Sequence, residues 1–155
     1  MNDRLEIRHD DLSGGEVQAL LAEHLADMYA TSPAESVHAL DLDALRAPDI
    51  TFYSAWDEQT LLGCGALRDL GDGHLEIKSM RAARAHRGRG TGAAILLHLL
   101  GAATRRGAVR ISLETGVEDY FAPARRLYER HGFVVCEPFG GYRPDPNSVF
   151  MTREG

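Results

Sequence analysis

Between Met80 and Gly92 the chain reads Met-Arg-Ala-Ala-Arg-Ala-His-Arg-Gly-Arg-Gly-Thr-Gly. A strand-like run, residues 75–79, precedes this stretch, and an apolar helical run, residues 93–103, follows it. Strand, basic glycine-rich loop and helix together make a geometry that holds phosphate. Gly88, Gly90 and Gly92 let backbone N–H groups come close to a ligand. The start of the helix adds N–H groups with no intrahelical partner and the positive end of the helix dipole. Arg87 and Arg89 add charge. The expected ligand is a small anion of the kind a phosphorylated cofactor carries.

The elements that must position this loop follow from periodicity. Leu5 and Ile7 alternate with charged neighbours, which suits a short first strand. Ser13 and Glu16 have capping-box spacing, and Val17, Leu20, Leu21, Leu25 and Met28 recur at helical intervals, so a helix is predicted over 14–29. A second short helix is predicted within 35–47, ended by Pro48. Strands are predicted over 50–56, 61–70 and 74–81, joined by the turns Asp57-Glu58-Gln59 and Gly71-Asp72-Gly73. After the apolar helix come a strand at 109–113, a helix at 123–131 with Pro123 near its start and Gly132 past its end, and strands at 133–136 and 148–152. The order is β-α-α-β-β-β-α-β-α-β-β. It predicts an α+β fold of three layers, a mixed and mostly antiparallel sheet with helices on both faces, as a single domain over residues 1–155.

Composition narrows the function classes. The chain has 155 residues, 44% apolar and 26% charged, as in a globular protein with a core of its own. Its net charge of −6 argues against nucleic acid as a partner. Seven of the 17 basic residues nevertheless fall between Lys78 and Arg106, a basic island suited to a small anion. Cys64 and Cys136 lie in apolar runs and are read as reduced core residues of a cytoplasmic protein. Charged residues at the N-terminus argue against a signal peptide, and no apolar run is long enough for a membrane span. The seven histidines are scattered, so no metal site is expected.

Two segments together carry a family resemblance. Arg87-Gly88-Arg89-Gly90-Thr91-Gly92 resembles the Q/R-x-x-G-x-G/A acetyl-CoA motif of the GCN5-related N-acetyltransferases. Residues 124–133, Ala-Arg-Arg-Leu-Tyr-Glu-Arg-His-Gly-Phe, are similar to that family's second signature, A-x-x-L-Y-x-x-x-G-F. The two are separated by one strand, as in the family, and the order of elements also agrees. The resemblance implies acetyl-CoA as co-substrate and N-acetylation of a small-molecule amine, and it allows a homodimer; no metal, nucleic-acid or membrane partner is expected on the composition and spacing given above. It implies that backbone groups of Arg87, Gly88, Arg89, Gly90, Thr91 and Gly92 bind the pyrophosphate. The strand edge at Met80 and Ala82 would pair with the pantetheine arm, and Tyr128 would protonate the leaving thiolate. Glu76 falls where several members carry a base. One position departs from the family: Phe121 stands where many members have Asn.

The chemistry sets further requirements. An alkylamine titrates near ~10.4, so the acceptor must lose a proton before it attacks, and the leaving thiol titrates near ~8.5. Strict alternation along the strand puts Glu76, Lys78 and Met80 on one face, with Glu76 as base or as the partner of Lys78 or an arginine on a solvated face. Glu114, at the end of the next strand, is the other candidate base, or a cap on Thr115-Gly116. Arg84 and Arg89 either reach the coenzyme's 3′-phosphate or are solvated. Residues 32–38 and 140–147 are the candidate walls of the acceptor site, with Glu35, His38, Tyr142 and Arg143 as polar handles. Two other readings stand beside the enzyme. A non-catalytic acyl-CoA sensor would use the same loop. A dinucleotide-binding module would use Gly88-Arg89-Gly90-Thr91-Gly92-Ala93 with Glu114 about 20 residues on, although residues 82–87 separate its first glycine from the strand.

Overall fold

The computed structural model describes residues 5–37, 40–88 and 90–155. The seven strands are β1 (Leu5–His9), β2 (Ile50–Asp57), β3 (Thr60–Asp69), β4 (His74–Ala82), β5 (Arg110–Gly116), β6 (Val134–Val135) and β7 (Ser148–Glu154). They form one sheet in the order β1-β2-β3-β4-β5-β7-β6. Among the described residues β4 and β5 run parallel and the other neighbours are antiparallel. The helices are α1 (Gly15–Thr31), α2 (Leu42–Leu45), α3 (Thr91–Arg105) and α4 (Ala122–Arg130). The predicted order of elements is therefore the observed one.

Each face of the sheet has its own core. On one face, Leu12, Val17, Leu20, Leu21 and Leu45 pack with Phe52, Cys64 and Ala66, which seats α1 and α2. On the other, Ile95, Leu96 and Leu99 of α3 and Tyr128 of α4 pack with Leu67, Leu75, Ile77, Ile111 and Leu113. Burying an aliphatic side chain of this kind contributes about 1.5–3 kcal/mol. Gly63 is what lets α3 lie flush on the sheet. A Cβ there would stand 2.5 Å from the Arg81 carbonyl oxygen and 2.8 Å from Ile95 Cδ1.

Two irregularities of β4 shape the site. The first is a bulge. Ala66 pairs with Lys78 and Cys64 with Arg81, so Gly65 faces both Ser79 and Met80. Ser79 takes the left-handed conformation, φ 53°, to accommodate the extra residue. The bulge shifts the alternation by one. Met80 joins Leu75 and Ile77 against the α3 core, while Arg81 reaches across to Glu23 and Asp27 of α1. The expectation that Glu76 and Met80 share a face is thus corrected, because strict alternation does not survive the inserted residue. The second irregularity is a parting of strands. The parallel pairing runs from His74–Arg110 to Ile77–Leu113. Beyond it β4 continues with β3 as far as Ala82 and β5 continues with β7 as far as Gly116. The sheet opens between them.

Three local expectations are also corrected. Ser13 does not cap α1: Gly14 is the N-cap, and the Ser13 hydroxyl is drawn back to Asp11, at 2.6 Å. The second helix is a 3-10 turn at Ala34–Ser36 followed by the single turn of α2, capped by Asp41 through the Ala44 N–H. Cys136 is half-buried rather than a core residue, since β6 lies at the sheet edge.

Candidate active site

A cavity of about 610 Å³ occupies the opening between β4 and β5. Its far end is the glycine loop. Gly88, Gly90 and Gly92 line it, and Gly90 is the N-cap of α3 in the left-handed conformation, φ 80°, with no side chain to satisfy the first-turn N–H groups. A residue with a Cβ is strained at that φ, which is why the loop carries glycine there. The site therefore presents bare backbone donors at a helix start, the arrangement that suits a phosphate. Met80 and Ala82 line the middle of the cavity. Arg89 lies outside the described residues.

The basic side chains near the loop are engaged with α1. Arg84 is 61% exposed and pairs with Glu23, Nε to Oε1 at 2.9 Å, and with Asp27. Arg87 donates to the Tyr120 hydroxyl at 3.3 Å and stands 4.0 Å from Asp27 Oδ2. Tyr120 in turn donates to Asp27 at 3.2 Å, which bridges the mouth of the cavity. Arg81 is buried and binds Glu23 at 3.0 Å, Asp27, and His24 Nδ1 at 3.3 Å. Burial alone would raise the Asp27 carboxyl, but the hydrogen bonds and charges of Arg81 and Arg84 together hold it below its ordinary value. Burial first, then the charge of Arg81, pushes the His24 imidazole down to about 4. His24 is therefore neutral at neutral pH.

On the α1 face of the cavity, Glu76 is 1% exposed and Lys78 is 7% exposed. Lys78 Nζ lies 3.3 Å from Glu76 Oε2 and donates to the Tyr142 hydroxyl at 2.6 Å. The Tyr142 hydroxyl donates to the same Glu76 Oε2 at 2.6 Å. Oε2 thus takes two donors, while Glu76 Oε1, also buried, has no hydrogen-bond partner. Burial and the Glu76 charge raise the Tyr142 hydroxyl well above the usual phenol range, so it stays a proton donor. The solvated Glu76–Lys78 pair considered from sequence is a pair, but a buried one. Glu114 lines the cavity and accepts from the Ser148 hydroxyl at 2.7 Å.

Tyr128 enters from the α3 side. It is 7% exposed, lines the cavity and packs edge-on to Phe133 at 5.8 Å. Burial pushes its hydroxyl up to about 12. Phe121 forms an apolar wall, and a Cβ on Gly116 would collide with its ring at 2.2 Å. The two segments expected to wall the acceptor site do meet: Asn147 Nδ2 donates to Ser36 Oγ at 3.2 Å. Tyr142 is brought to Glu76, whereas Glu35 and Arg143 are exposed and His38 lies outside the described residues. Sequence reasoning missed that Arg81, Arg87 and Tyr120 converge on Asp27. The spacing of Glu23 and Asp27, i and i+4 on one face of α1, was the available signal.

The match to the acetyltransferase (GNAT) family model covers residues 17–133, and the chain belongs to that family. The uncharacterized N-acetyltransferase YsnE of Bacillus subtilis is 51% identical over 150 residues, covering 97% of this chain and 99% of its own. The IAA acetyltransferase of Azospirillum brasilense is 40% identical over 149 residues, covering 94% of each. A crystal structure from Klebsiella pneumoniae assigned to the acyl-CoA N-acyltransferases superposes with a TM-score of 0.79 at 28% identity, covering 99% of both chains. None of the helices among the described residues is long and apolar enough to cross a membrane.

Proposed function

We propose that this chain transfers an acetyl group from acetyl-CoA to the amine of a small molecule in the cytoplasm. One observation supports this most directly: the cavity joins an uncapped helix start at one end to a buried tyrosine and a buried carboxylate at the other. The residues fit the coenzyme. Backbone groups of Gly88, Gly90, Thr91 and Gly92 suit the pyrophosphate, with Arg87 beside them. The β4 edge from Met80 to Ala82, free of β5, suits the pantetheine arm as a substitute strand partner. The coenzyme supplies an activated acetyl thioester.

The chain's own residues handle the protons. Glu76 Oε1 takes a proton from the acceptor's ammonium group, which frees the nitrogen lone pair. The nitrogen attacks the thioester carbonyl, the C–N bond forms and the C–S bond breaks. Tyr128 gives its hydroxyl proton to the departing sulfur and recovers one from the nitrogen. The products are the amide, the thiol and one proton, which Glu76 passes to solvent. A tyrosine near 12 faces a thiol near ~8.5, so donation by itself is uphill by several kcal/mol. Tyr128 therefore relays a proton within one step rather than resting as phenolate.

The test is thiol release from acetyl-CoA with a panel of primary amines, read beside a thermal-shift titration. The expected result is a rise in melting temperature with acetyl-CoA and not with NAD, together with turnover of at least one amine. Coenzyme binding with no turnover across the panel would favour the sensor reading.

A further inference from the structure

The Glu76 carboxylate is held asymmetrically, and one of the holding groups comes from far along the chain. Oε2 receives Tyr142 at 2.6 Å and faces Lys78 at 3.3 Å, while Oε1 has no partner. Tyr142 belongs to the segment before β7, and its ring is locked in place. Phe139 lies 5.2 Å and Phe150 5.5 Å from it, centroid to centroid, and His74 packs on Phe139 at 5.6 Å. This cluster spans β4, β7 and the loop, so the hydroxyl is delivered to Oε2 by packed rings rather than by a flexible arm.

Stability does not account for the arrangement. A buried Glu–Lys pair loses on desolvation much of what it gains in attraction, and replacing such pairs with apolar residues is often neutral or favourable. A carboxylate placed only for structure would also be expected to satisfy both oxygens. Here two donors converge on one oxygen and the other is left bare in a side chain that lines the cavity. That pattern is useful for a base, because it fixes which oxygen receives the proton and from which direction.

We infer that Tyr142 and Lys78 are positioning residues for the acetyl transfer: they clamp Glu76 Oε2 so that Oε1 meets the acceptor's ammonium group. The inference rests on the reading of Glu76 as base given above. In the step itself an acceptor N–H bond breaks and an O–H bond forms at Oε1. Tyr142 and Lys78 keep their own protons throughout.

The test exploits acceptor basicity. An alkylamine is protonated at neutral pH and needs the base, whereas an aromatic amine is already neutral and does not. Tyr142→Phe keeps the ring and its packing and removes only the hydroxyl. It should lower kcat with an alkylamine by about tenfold or more, leave the KM for acetyl-CoA unchanged, and lose no more than about twofold with an aromatic amine. Glu76→Gln should show the same selectivity more strongly, and the double variant should be no worse than Glu76→Gln alone. An acetyl-CoA thermal shift equal to wild type certifies the fold of each variant. Equal losses with both amines, or no loss with the alkylamine, would overturn the positioning role and leave the acetyltransferase reading standing. A wild-type protein that acetylates no amine would remove both.

Discussion

Tyr128→Phe subtracts one hydroxyl from a buried ring and leaves its edge-on contact with Phe133 in place. If Tyr128 is the donor to sulfur, its value is bounded by what protonating that sulfur is worth. A thiol near ~8.5 at pH 7 is 1.5 units from its midpoint, so protonation contributes about 2 kcal/mol, or about 30-fold in rate. Steady-state thiol release should therefore fall about 30-fold at pH 7. The gap should narrow to about threefold at pH 8 and nearly close by pH 8.5, because the thiolate then leaves unaided. Acetyl-CoA affinity, measured by calorimetry, should stay within about twofold, since the pyrophosphate loop is untouched. A loss that is constant from pH 7 to pH 8.5 would refute proton donation and leave Tyr128 a packing residue. An unchanged rate at pH 7 would refute it more simply.

His24 makes a pH-dependent contribution to stability. Its folded value of about 4 lies below the ordinary 6.5, so the unfolded chain binds the extra proton first, and stability is lost as pH falls from about 6.5 towards 4. At pH 4.5 the loss comes to roughly 2–3 kcal/mol; between pH 7 and pH 4.5 the unfolding free energy from urea titration should fall by about that much more in wild type than in His24→Gln, and equal acid losses would rule it out. Gly90→Asp puts a residue with a side chain at φ 80° and a negative charge at the start of α3. A Cβ there meets nothing within 4 Å, so the protein should fold, yet calorimetry should show acetyl-CoA binding at least about tenfold weaker.

The glycine loop and the elements around it were largely legible in the sequence. Glycine at 88, 90 and 92, a strand before and a helix after define a local motif, and local motifs are written in consecutive residues. The order of strands and helices followed from periodicity for the same reason. What alternation could not reveal was the inserted residue at Ser79, because a bulge depends on the partner strand: Gly65 lacks a side chain to fix the register, and the shift appears only once β3 and β4 are paired. Met80 and Arg81 consequently face opposite to the sequence reading. The acceptor side was legible only in outline. Residues 32–38 and 140–147 were marked as walls, but the meeting of Tyr142 with Glu76 joins positions 66 apart, and the Tyr120 bridge to Asp27 joins positions 93 apart. The capping box at Ser13 failed because Asp11, two residues back, competes for the same hydroxyl.

The parting of β4 from β5 has a consequence for the protein's solution behaviour. A sheet normally has two edges, and proteins guard both against pairing with other chains. This sheet also has, beyond Ile77, a stretch of β4 that pairs with β3 on one side and not with β5 on the other. It is flanked by buried apolar groups such as Ile77, Leu113 and Phe121 and is therefore an inviting template for a foreign strand. Arg81, Arg84 and Arg87, tied across the mouth to Asp27, stand where a guard against such pairing belongs. If acetyl-CoA binds along β4 as proposed, saturating coenzyme should also act as a stabiliser against self-association during purification and storage, because its pantetheine arm would cover the side of β4 that β5 does not pair with.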